Sequence, residues 1–383
     1  MCQNSGEWSH FEGPSHLLLP PTTLQKSSEP ASPLPALANT MDIILRLSDE
    51  YVLDRVWAHL LPVSAFTTAS SNAAGLYNAS SHVSSVASQP SAWSQLISYI
   101  PHPPLPDELL TSPVVASETI ASAWPRDYLP RQIISLFILT LVGIHALYFI
   151  FASLSYKYIF NHDMMKHPRF LKNQIKLEIQ SSLQAFPLMT LLTLPWFVAE
   201  VRGHTRLYDD VSEYGWGYFF FSIFLFLAFT DYCIYWIHRW EHHPICYKWL
   251  HKPHHKWIIP TPYASHAFHP LDGYAQSVPY HLFIHVFPLH RKLYLGLFVF
   301  VNFWTILIHD SDMITGHPLE TVINGPAHHT LHHMYFTVNY GQYFTWADRM
   351  GKSYRQPAAE LDPLLEVKAA ESKKAKAALG KEQ

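Results

Sequence analysis

The sequence has few cysteines and few charged residues, and each scarcity excludes a class of protein. The three cysteines, Cys2, Cys233 and Cys246, form no CxxC pair, so we expect neither a cysteine zinc finger nor a disulfide framework. Charged residues make up 14% of the chain, and the formal net charge of −3 argues against a general nucleic-acid binder. The first twenty residues lack a basic stretch followed by an apolar one, so no cleavable signal peptide is expected.

Apolar residues are abundant instead, and their distribution predicts an all-α integral membrane protein. Hydrophobic residues account for 49% of the 383 positions and aromatic residues for 15%. Three apolar runs, 133–151, 183–199 and 216–237, are close to the roughly 20 residues that span a bilayer. A fourth run, 278–308, is interrupted at 290–292 and predicts a helical hairpin or two re-entering segments. About four transmembrane helices are therefore expected, with Asp231 and His145 inside them.

The chain divides by composition into three parts. Residues 1–125 are expected to be a largely irregular extension, because 27–38 and 63–106 are rich in serine and proline. Within it, 41–62 has apolar residues at helical spacing, which indicates either an amphipathic helix on the membrane surface or a packed helix. Residues 126–357 form the predicted membrane-embedded domain. Residues 358–383 are predicted to be a charged, helix-prone tail.

Basic residues in the loops predict how the chain crosses the membrane. Residues 154–178 carry five of them and residues 200–214 carry two, so the positive-inside rule places the first loop in the cytosol. The third span then returns to the cytosol at residue 237. The segments that follow it are expected on the cytosolic face, as a helical cap. The sequon at Asn78 agrees with a lumenal N-terminus.

Histidines form three short clusters, HRWEHH at 238–243, HKPHH at 251–255 and HHTLHH at 328–333. Spacings of three and four residues place side chains on one face of a helix, so each cluster can direct two or three imidazoles to one point. Eight or more imidazole nitrogens exceed the four ligands of one tetrahedral zinc, so two metals are expected. The candidate ligands are His238, His242, His243, His251, His254, His255, His328, His329, His332 and His333.

Two other readings of these histidines stay open at this point. His238, Glu241 and His242 match the H-x-x-E-H signature of a zinc protease, although that signature leaves the other two clusters unused. A metal transporter with histidine-rich loops is the second alternative. It predicts ligands inside the spans, where the sequence offers His145 and, in the fourth run, His281 and His285.

The three clusters have the HX3HH, HX2HH and HX2HH pattern of a known family. The chain resembles the membrane fatty acid hydroxylase and sterol desaturase superfamily, and within it the fungal sterol C-5 desaturases, over about residues 41–357. The likeness rests on three segments: HRWEHHPICYKWLHKPHHKWIIPTPYASHAFHPLDGYAQSVPYH, WTILIHDSD and INGPAHHTLHHMYFTVNYGQYFTWADRMGKSYR. Because the likeness begins near residue 41, residues 1–40 are expected to be an extension or to reflect a misplaced start, and in either case to lie outside the working domain.

The resemblance implies a non-haem di-iron centre that activates O2, with electrons from NAD(P)H delivered through cytochrome b5. His243 is the histidine next to a box ligand, and His309 matches a further family histidine. Thr330 is implied as an orienting residue, with helix packing as its alternative role. At His266, His269, His317 and His328, ligation and a structural role both stay open. The implied box ligands are His238, His242, His251, His254, His255, His329, His332 and His333.

The resemblance also implies the reaction: desaturation of a Δ7-sterol at C5 and C6, in ergosterol biosynthesis at the endoplasmic reticulum membrane. A sterol C-4 methyl oxidase and a fatty acid hydroxylase are the alternatives within the superfamily. No HPGG haem motif is present, so cytochrome b5 and its reductase are expected as separate partners, steered by Arg239, Lys248, Lys252, Lys256, Arg291 and Lys292, whose alternative role is to bind lipid headgroups. The sterol pocket is expected to be apolar. Seven aromatic residues are candidates to line it, with lipid contact or packing between helices as the favoured alternative for any one of them: Tyr218, Phe219, Phe220, Trp236, Tyr280, Phe303 and Trp304.

Overall fold

A computed structural model describes residues 43–66, 91–105 and 121–379. All of them belong to one compact unit, Thr40–Gln383. The serine- and proline-rich stretch 27–38, the greater part of 63–106 and the sequon at Asn78 lie outside the described residues, as do residues 1–40.

The N-terminal part of the described chain is helical. Helix α1 (Ile43–Ser48), a π-helical turn (Asp49–Leu53) and helix α2 (Asp54–Leu60) follow one another without a break, and α3 (Ala92–Ile97) lies in the stretch predicted to be irregular. Leu45 and Trp57 are buried, and the Trp57 indole donates a hydrogen bond to Ser135. One face of residues 43–60 therefore packs against the bundle, and the other face exposes apolar side chains such as Leu47 and Val56.

Two long helices follow, α4 (Leu129–Tyr158) and α5 (Gln174–Val201), and they pack against each other. A short strand β1 (Leu207–Tyr208) leads to the third long helix, α6 (Gly215–Glu241). Each helix extends beyond the apolar run that predicted it. At most a third of the residues in their most apolar windows are buried, so the remaining apolar side chains face outward, as contact with lipid requires.

The fourth apolar region folds as the predicted helical hairpin. After the short helix α7 (Pro244–Tyr247), helix α8 (Pro270–Val286) runs away from the histidine clusters, and α9 (Arg291–Ile308) returns to them. Strand β2 (Leu289–His290) lies at the turn and pairs in parallel with β1. Helices α4, α5, α6 and α9 are long and apolar enough to cross a membrane, so the chain is a mostly helical, multi-pass membrane protein.

The hairpin corrects one expectation about charge. Arg291 begins α9, and its guanidinium binds the carboxylate of Asp209 beside β1. It therefore lies about 27 Å along the helix axis from His309, at 1.5 Å per residue. Arg291 and its neighbour Lys292 therefore cannot share a surface with the histidine clusters. The prediction that these two residues help to attract cytochrome b5 is wrong.

The C-terminal segment closes the end of the bundle that carries the histidines. It contains α10 (Pro326–Tyr335), α11 (Trp346–Met350) and α12 (Pro363–Leu379). Glu366 of α12 forms an ion pair with Arg169 in the loop between α4 and α5, and its carboxylate lies 3.2 Å from the Nε2 of His167 in the same loop. The basic loop 159–173, the histidine segments and the C-terminal helix are therefore at the same end of the bundle.

The two polar residues noted inside the spans have structural partners. Asp231 is fully buried, and its Oδ1 accepts hydrogen bonds from the backbone N–H groups of Gln342, Tyr343 and Phe344. The Nδ1 of His145 is 2.6 Å from the carbonyl oxygen of Leu141, one turn earlier in its own helix. Asp231 thus fastens the loop after α10 to the side of α6.

Candidate metal centre

Nine histidines converge in two adjacent groups at the end of the bundle. The potential ligand atoms within each group lie within 4.8 Å of one another, and every imidazole is buried except that of His242, which is half-buried. The two groups draw on all three sequence clusters and on the end of α9. The five-histidine group is His238, His242, His251, His255 and His332, and the four-histidine group is His254, His309, His329 and His333.

Helical geometry explains how adjacent residues reach different groups. In α10, His329 and His333 are four residues apart and share a face, whereas His332 points about 100° away from His333. His254 and His255 separate in the same manner at a 3-10 turn, His254–Lys256. Each cluster therefore supplies ligands to both groups, except HRWEHH, which supplies only the five-histidine group.

The hydrogen bonds of the outer nitrogens fix which imidazole nitrogens carry lone pairs. The Nδ1 of His238 is 3.0 Å from the carbonyl oxygen of Tyr340, and the Nδ1 of His251 is 2.8 Å from the carboxylate of Asp272. Both Nδ1 atoms must donate, so both Nε2 atoms carry lone pairs. These two Nε2 atoms are only 3.0 Å apart. Two lone pairs at this distance repel each other unless a cation lies among them.

The four-histidine group has the same arrangement. The Nδ1 atoms of His309 and His333 are 2.6 Å and 2.9 Å from the carbonyl oxygens of Thr305 and Trp257. Their Nε2 atoms, which therefore carry lone pairs, lie 3.0 Å and 3.1 Å from the Nε2 of His329. The lone pairs of His309 and His333 thus converge on the Nε2 of His329, which fits a bound metal ion in this group as well.

Burial favours the neutral form that a metal requires. Burial, reinforced by neighbouring imidazoles, holds the pKa of five of these histidines well below the usual value of 6.5: His254, His255, His329, His332 and His333. Neutral imidazole is the ligating species, and an all-imidazole donor set suits iron, copper, nickel or zinc. The groups are therefore compatible with metal binding.

A pair of buried carboxylates lies behind the five-histidine group. Asp272 bonds to His251, and a carboxylate oxygen of Glu241 is 3.9 Å from the same Nδ1. Glu241, the acidic residue of the H-x-x-E-H signature, thus lies on the outer side of His251. His238 and His242 are joined by three histidines that the protease signature does not include, so the signature does not describe this site.

The structure places two predicted site residues outside both groups. His243 is exposed and caps α7, accepting a weak hydrogen bond from the N–H of Ile245. Thr330 is buried, and its hydroxyl donates to the carbonyl oxygen of Asp312. In α10, Thr330 is next to His329 in sequence. Its hydroxyl is nevertheless used in the bond to Asp312, which is a packing contact.

The four histidines whose roles stayed open also lie outside the two groups. His269 and His317 cap helical turns with their side chains. His266 is buried between Ser265 and Asn302, and the ring of His328 packs on that of Tyr354. Sequence reasoning missed Asp272, because nothing in its spacing links it to a histidine that is 21 residues away.

An apolar cavity of about 510 Å3 opens onto the two groups, a volume typical of small-molecule sites. His238, His309 and His329 are among the residues that line its inner end, and Ile43–Leu45 of α1 line it as well. Of the seven aromatic residues proposed from the sequence, only Tyr280 lines this cavity. The others lie elsewhere because their helix faces point to lipid or to neighbouring helices.

Comparison with known proteins agrees with this site. A fatty acid hydroxylase family model matches residues 223–353, which contain all nine converging histidines. The chain is 50% identical to a Delta(7)-sterol 5(6)-desaturase of Gibberella zeae, over 85% of this chain and 93% of that protein. It is 55% identical to a second such desaturase, from Aspergillus fumigatus, over 63% of this chain and 82% of the relative.

A mammalian protein is similar as well. Lathosterol oxidase of Homo sapiens is 54% identical over 62% of this chain and 80% of its own length. No solved structure matches the chain. High identity over most of the chain, together with the family match at the histidine segments, leads to one conclusion: the chain belongs to the fatty acid hydroxylase family, in the group that contains these sterol desaturases.

Proposed function

We propose that this chain is a Δ7-sterol 5(6)-desaturase, an oxidoreductase that introduces the C5=C6 double bond into a sterol. The observation that carries the proposal is the placement of two groups of buried imidazoles at the inner end of an apolar cavity. The names of relatives at 47–55% identity supply the reaction. The reaction removes two hydrogens from the substrate and reduces O2 to water, so it also consumes two electrons and two protons.

The proposed cofactor is a pair of iron ions, one held by each histidine group. The donor set fits, because the neutral imidazoles present converging lone pairs that need a cation between them. When bound, the irons take up electrons and activate O2, which is the chemistry that removal of hydrogen from an unactivated C–H bond requires. His243 lies outside both groups, and it is not part of the proposed ligand set.

The chain's own residues have three tasks in this proposal. Carbonyl oxygens and Asp272 hold the imidazoles in one tautomer and one orientation. The apolar walls of the cavity exclude water and bind the rigid sterol skeleton. The polar groups among those walls then fix how the skeleton is placed against the histidines, which decides the carbon atoms that react.

The proposed setting is the endoplasmic reticulum membrane, with the histidine end of the bundle in the cytosol. The basic loop 159–173 lies at that end, which supports this orientation through the positive-inside rule. Lys248, Lys252 and Lys256 are exposed close to the histidines and would attract an acidic electron donor such as cytochrome b5, supplied with electrons from NAD(P)H.

Product analysis tests the proposed reaction. The chain is expressed in a host without its own sterol 5-desaturase, and membranes are incubated with NADH and O2 and with either a Δ7-sterol or a 4-methylsterol. We expect a 5,7-diene from the Δ7-sterol, identified by mass spectrometry and by its ultraviolet absorption. An oxygenated 4-methyl group, or hydroxylated fatty acids with no diene, would overturn the proposal in favour of a methyl oxidase or a fatty acid hydroxylase.

A further inference from the structure

Helix α9 directs two polar residues into the cavity close to the histidines. His309, Thr305 and Asn302 recur at helical spacing, and all three line the cavity. At 1.5 Å per residue, Thr305 is about 6 Å and Asn302 about 10 Å from His309 along the helix axis. Thr305 is therefore the first hydroxyl that a ligand meets on this helix when one end of it lies against the histidines.

Gln342 lies beside Thr305 on the cavity wall. Asp231 holds its backbone N–H, so the position of Gln342 is fixed against α6. Its Nε2 donates a hydrogen bond of 2.9 Å to the hydroxyl oxygen of Thr305. Within the described part of the chain, three groups of this pair remain available to a ligand: the hydroxyl hydrogen of Thr305, the second hydrogen on the Nε2 of Gln342 and the Oε1 of Gln342.

The next polar groups along the cavity are already occupied. Asn302 donates to the carbonyl oxygen of Phe298, and its Oδ1 faces the Nε2 of His266. Ser277 donates to the carbonyl oxygen of Tyr274. Thr305 and Gln342 together differ from these residues, because they offer donor hydrogens and an acceptor oxygen side by side on the cavity wall. An alcohol can donate to the Oε1 of Gln342 and accept from the hydroxyl of Thr305.

We propose that Thr305 and Gln342 bind the 3-hydroxyl group of the sterol substrate. This inference rests on the proposed function. The hydroxyl oxygen is three bonds from C5, or about 4 Å with carbon–carbon bonds of about 1.5 Å. An alcohol held at Thr305 therefore leaves C5 and C6 between this pair and the histidines. An alcohol held near Arg291, at the far end of α9, would place these carbons too far from the histidines.

The same placement fixes the direction of the rest of the sterol. The alkyl tail is attached to ring D, at the end of the skeleton opposite the 3-hydroxyl, so it must extend away from Thr305 and Gln342 along the apolar walls of the cavity, which Leu136, Leu139 and Ile43–Leu45 help to line. This region is apolar, as the tail requires. Thr305 and Gln342 thus position the sterol in the cavity. A substrate without the 3-hydroxyl would bind in several positions along it.

The test compares a Δ7-sterol with its 3-deoxy analogue. For each, the dissociation constant is measured with purified protein in detergent, and kcat/KM is measured from diene formation. The wild type is expected to prefer the sterol by about 10- to 100-fold, from hydrogen bonds worth about 1–3 kcal/mol. Thr305→Val should lower this preference about tenfold, and Thr305→Ser should retain it. Thr193→Val is the matched control, because the Thr193 hydroxyl bonds to Met189 in its own helix.

The outcomes separate the two proposals. An unchanged preference in Thr305→Val, with 3-deoxy analogue bound as tightly as by the wild type, would overturn the hydroxyl site. If Thr305→Val loses binding of both compounds, Thr305→Ser is measured next. A preference of Thr305→Ser for the sterol over its 3-deoxy analogue supports the site, and the absence of that preference overturns it. A wild type that forms no diene but binds the sterol with the expected preference would refute the desaturase proposal alone.

Discussion

At the scale of single residues, the outer partners of the imidazoles differ in charge. Backbone carbonyl oxygens face the Nδ1 atoms of His238, His309, His332 and His333, whereas His251 faces the carboxylate of Asp272. A carboxylate fixes the ring and increases the basicity of the ligating nitrogen more strongly than a neutral carbonyl does. His251 should therefore be the strongest single donor in the five-histidine group.

The first prediction concerns this carboxylate. Asp272→Asn keeps the shape of the side chain but removes its charge, so iron affinity should fall by about 10- to 100-fold, as for other second-sphere partners of metal-bound histidines. Competition between the purified protein and a chelator measures this affinity. Asp209→Asn is the control, because Asp209 pairs with Arg291 at the other end of the bundle and should leave iron affinity unchanged. Equal affinities for Asp272→Asn and wild type would contradict the assigned role.

Some residues of the site could be predicted from the sequence and others could not. Eight of the nine converging histidines could be identified from box spacing, because i, i+3 and i+4 neighbours share a helix face. His309 came from resemblance alone, since no second histidine stands near it in the chain. Asp272, Thr305 and Gln342 gave no signal, because their partners are far away in sequence and meet them only after folding. His243 has box spacing, yet the helix ends before it.

At the scale of helices, a buried ion pair fastens the N-terminal helix to the bundle. Arg131, at the start of α4, bonds to Asp49 in the π-helical turn and to Asp54 in α2. Arg131 and Asp49 are almost fully buried, whereas the neighbouring pair of Arg126 and Asp54 is about 40% exposed. Because α1 lines the cavity, this anchor also holds one of its walls in place.

The second prediction compares these two arginines. Arg131→Ala leaves a buried carboxylate without its partner and should lower the free energy of unfolding by about 3–5 kcal/mol. Arg126→Ala removes a solvent-screened pair and should cost under about 1 kcal/mol. Unfolding of the purified variants in detergent measures both effects. Similar losses for the two variants would show that the buried pair does not anchor α1.

The positions of the four spanning helices could be predicted from the sequence, but the residues at which they begin and end could not. Apolar runs predicted all four spanning helices, because lipid requires apolar side chains and internally bonded backbones. The ends extend further because polar residues there bond to other segments, as Gln174 does to the carbonyl oxygen of Ile259. The interruption at 290–292 correctly predicted the hairpin but not that Arg291 would pair with Asp209.

At the scale of the whole molecule, the bundle has two chemically distinct ends. One end carries the histidine groups, the basic loop 159–173 and α12; the other carries the β1–β2 pair and the acidic residues Asp209 and Asp210. This asymmetry is the basis for the proposed orientation, in which the histidine end is cytosolic. In this proposed orientation, the proposed electron donor and the proposed lumenal loops are on opposite sides of the membrane.

The third prediction tests this orientation. A glycosylation cassette inserted between Asp210 and Val211 should be modified in the endoplasmic reticulum, because this loop is proposed to be lumenal. The same cassette inserted between Asn161 and His162 should remain unmodified, because that loop lies at the histidine end. A shift in electrophoretic mobility that enzymatic deglycosylation reverses reports the modification. The opposite pattern would place the histidine groups in the lumen and contradict the cytochrome b5 proposal.

The two histidine groups are proposed to hold two irons, and the metal content of the purified protein tests this proposal. We expect about two irons per chain in the wild type and in His243→Ala, because His243 lies outside both groups. His254→Ala, which removes one of four ligands from its group, should retain about one iron. A single zinc per chain, or iron loss in His243→Ala as large as in His254→Ala, would contradict the account.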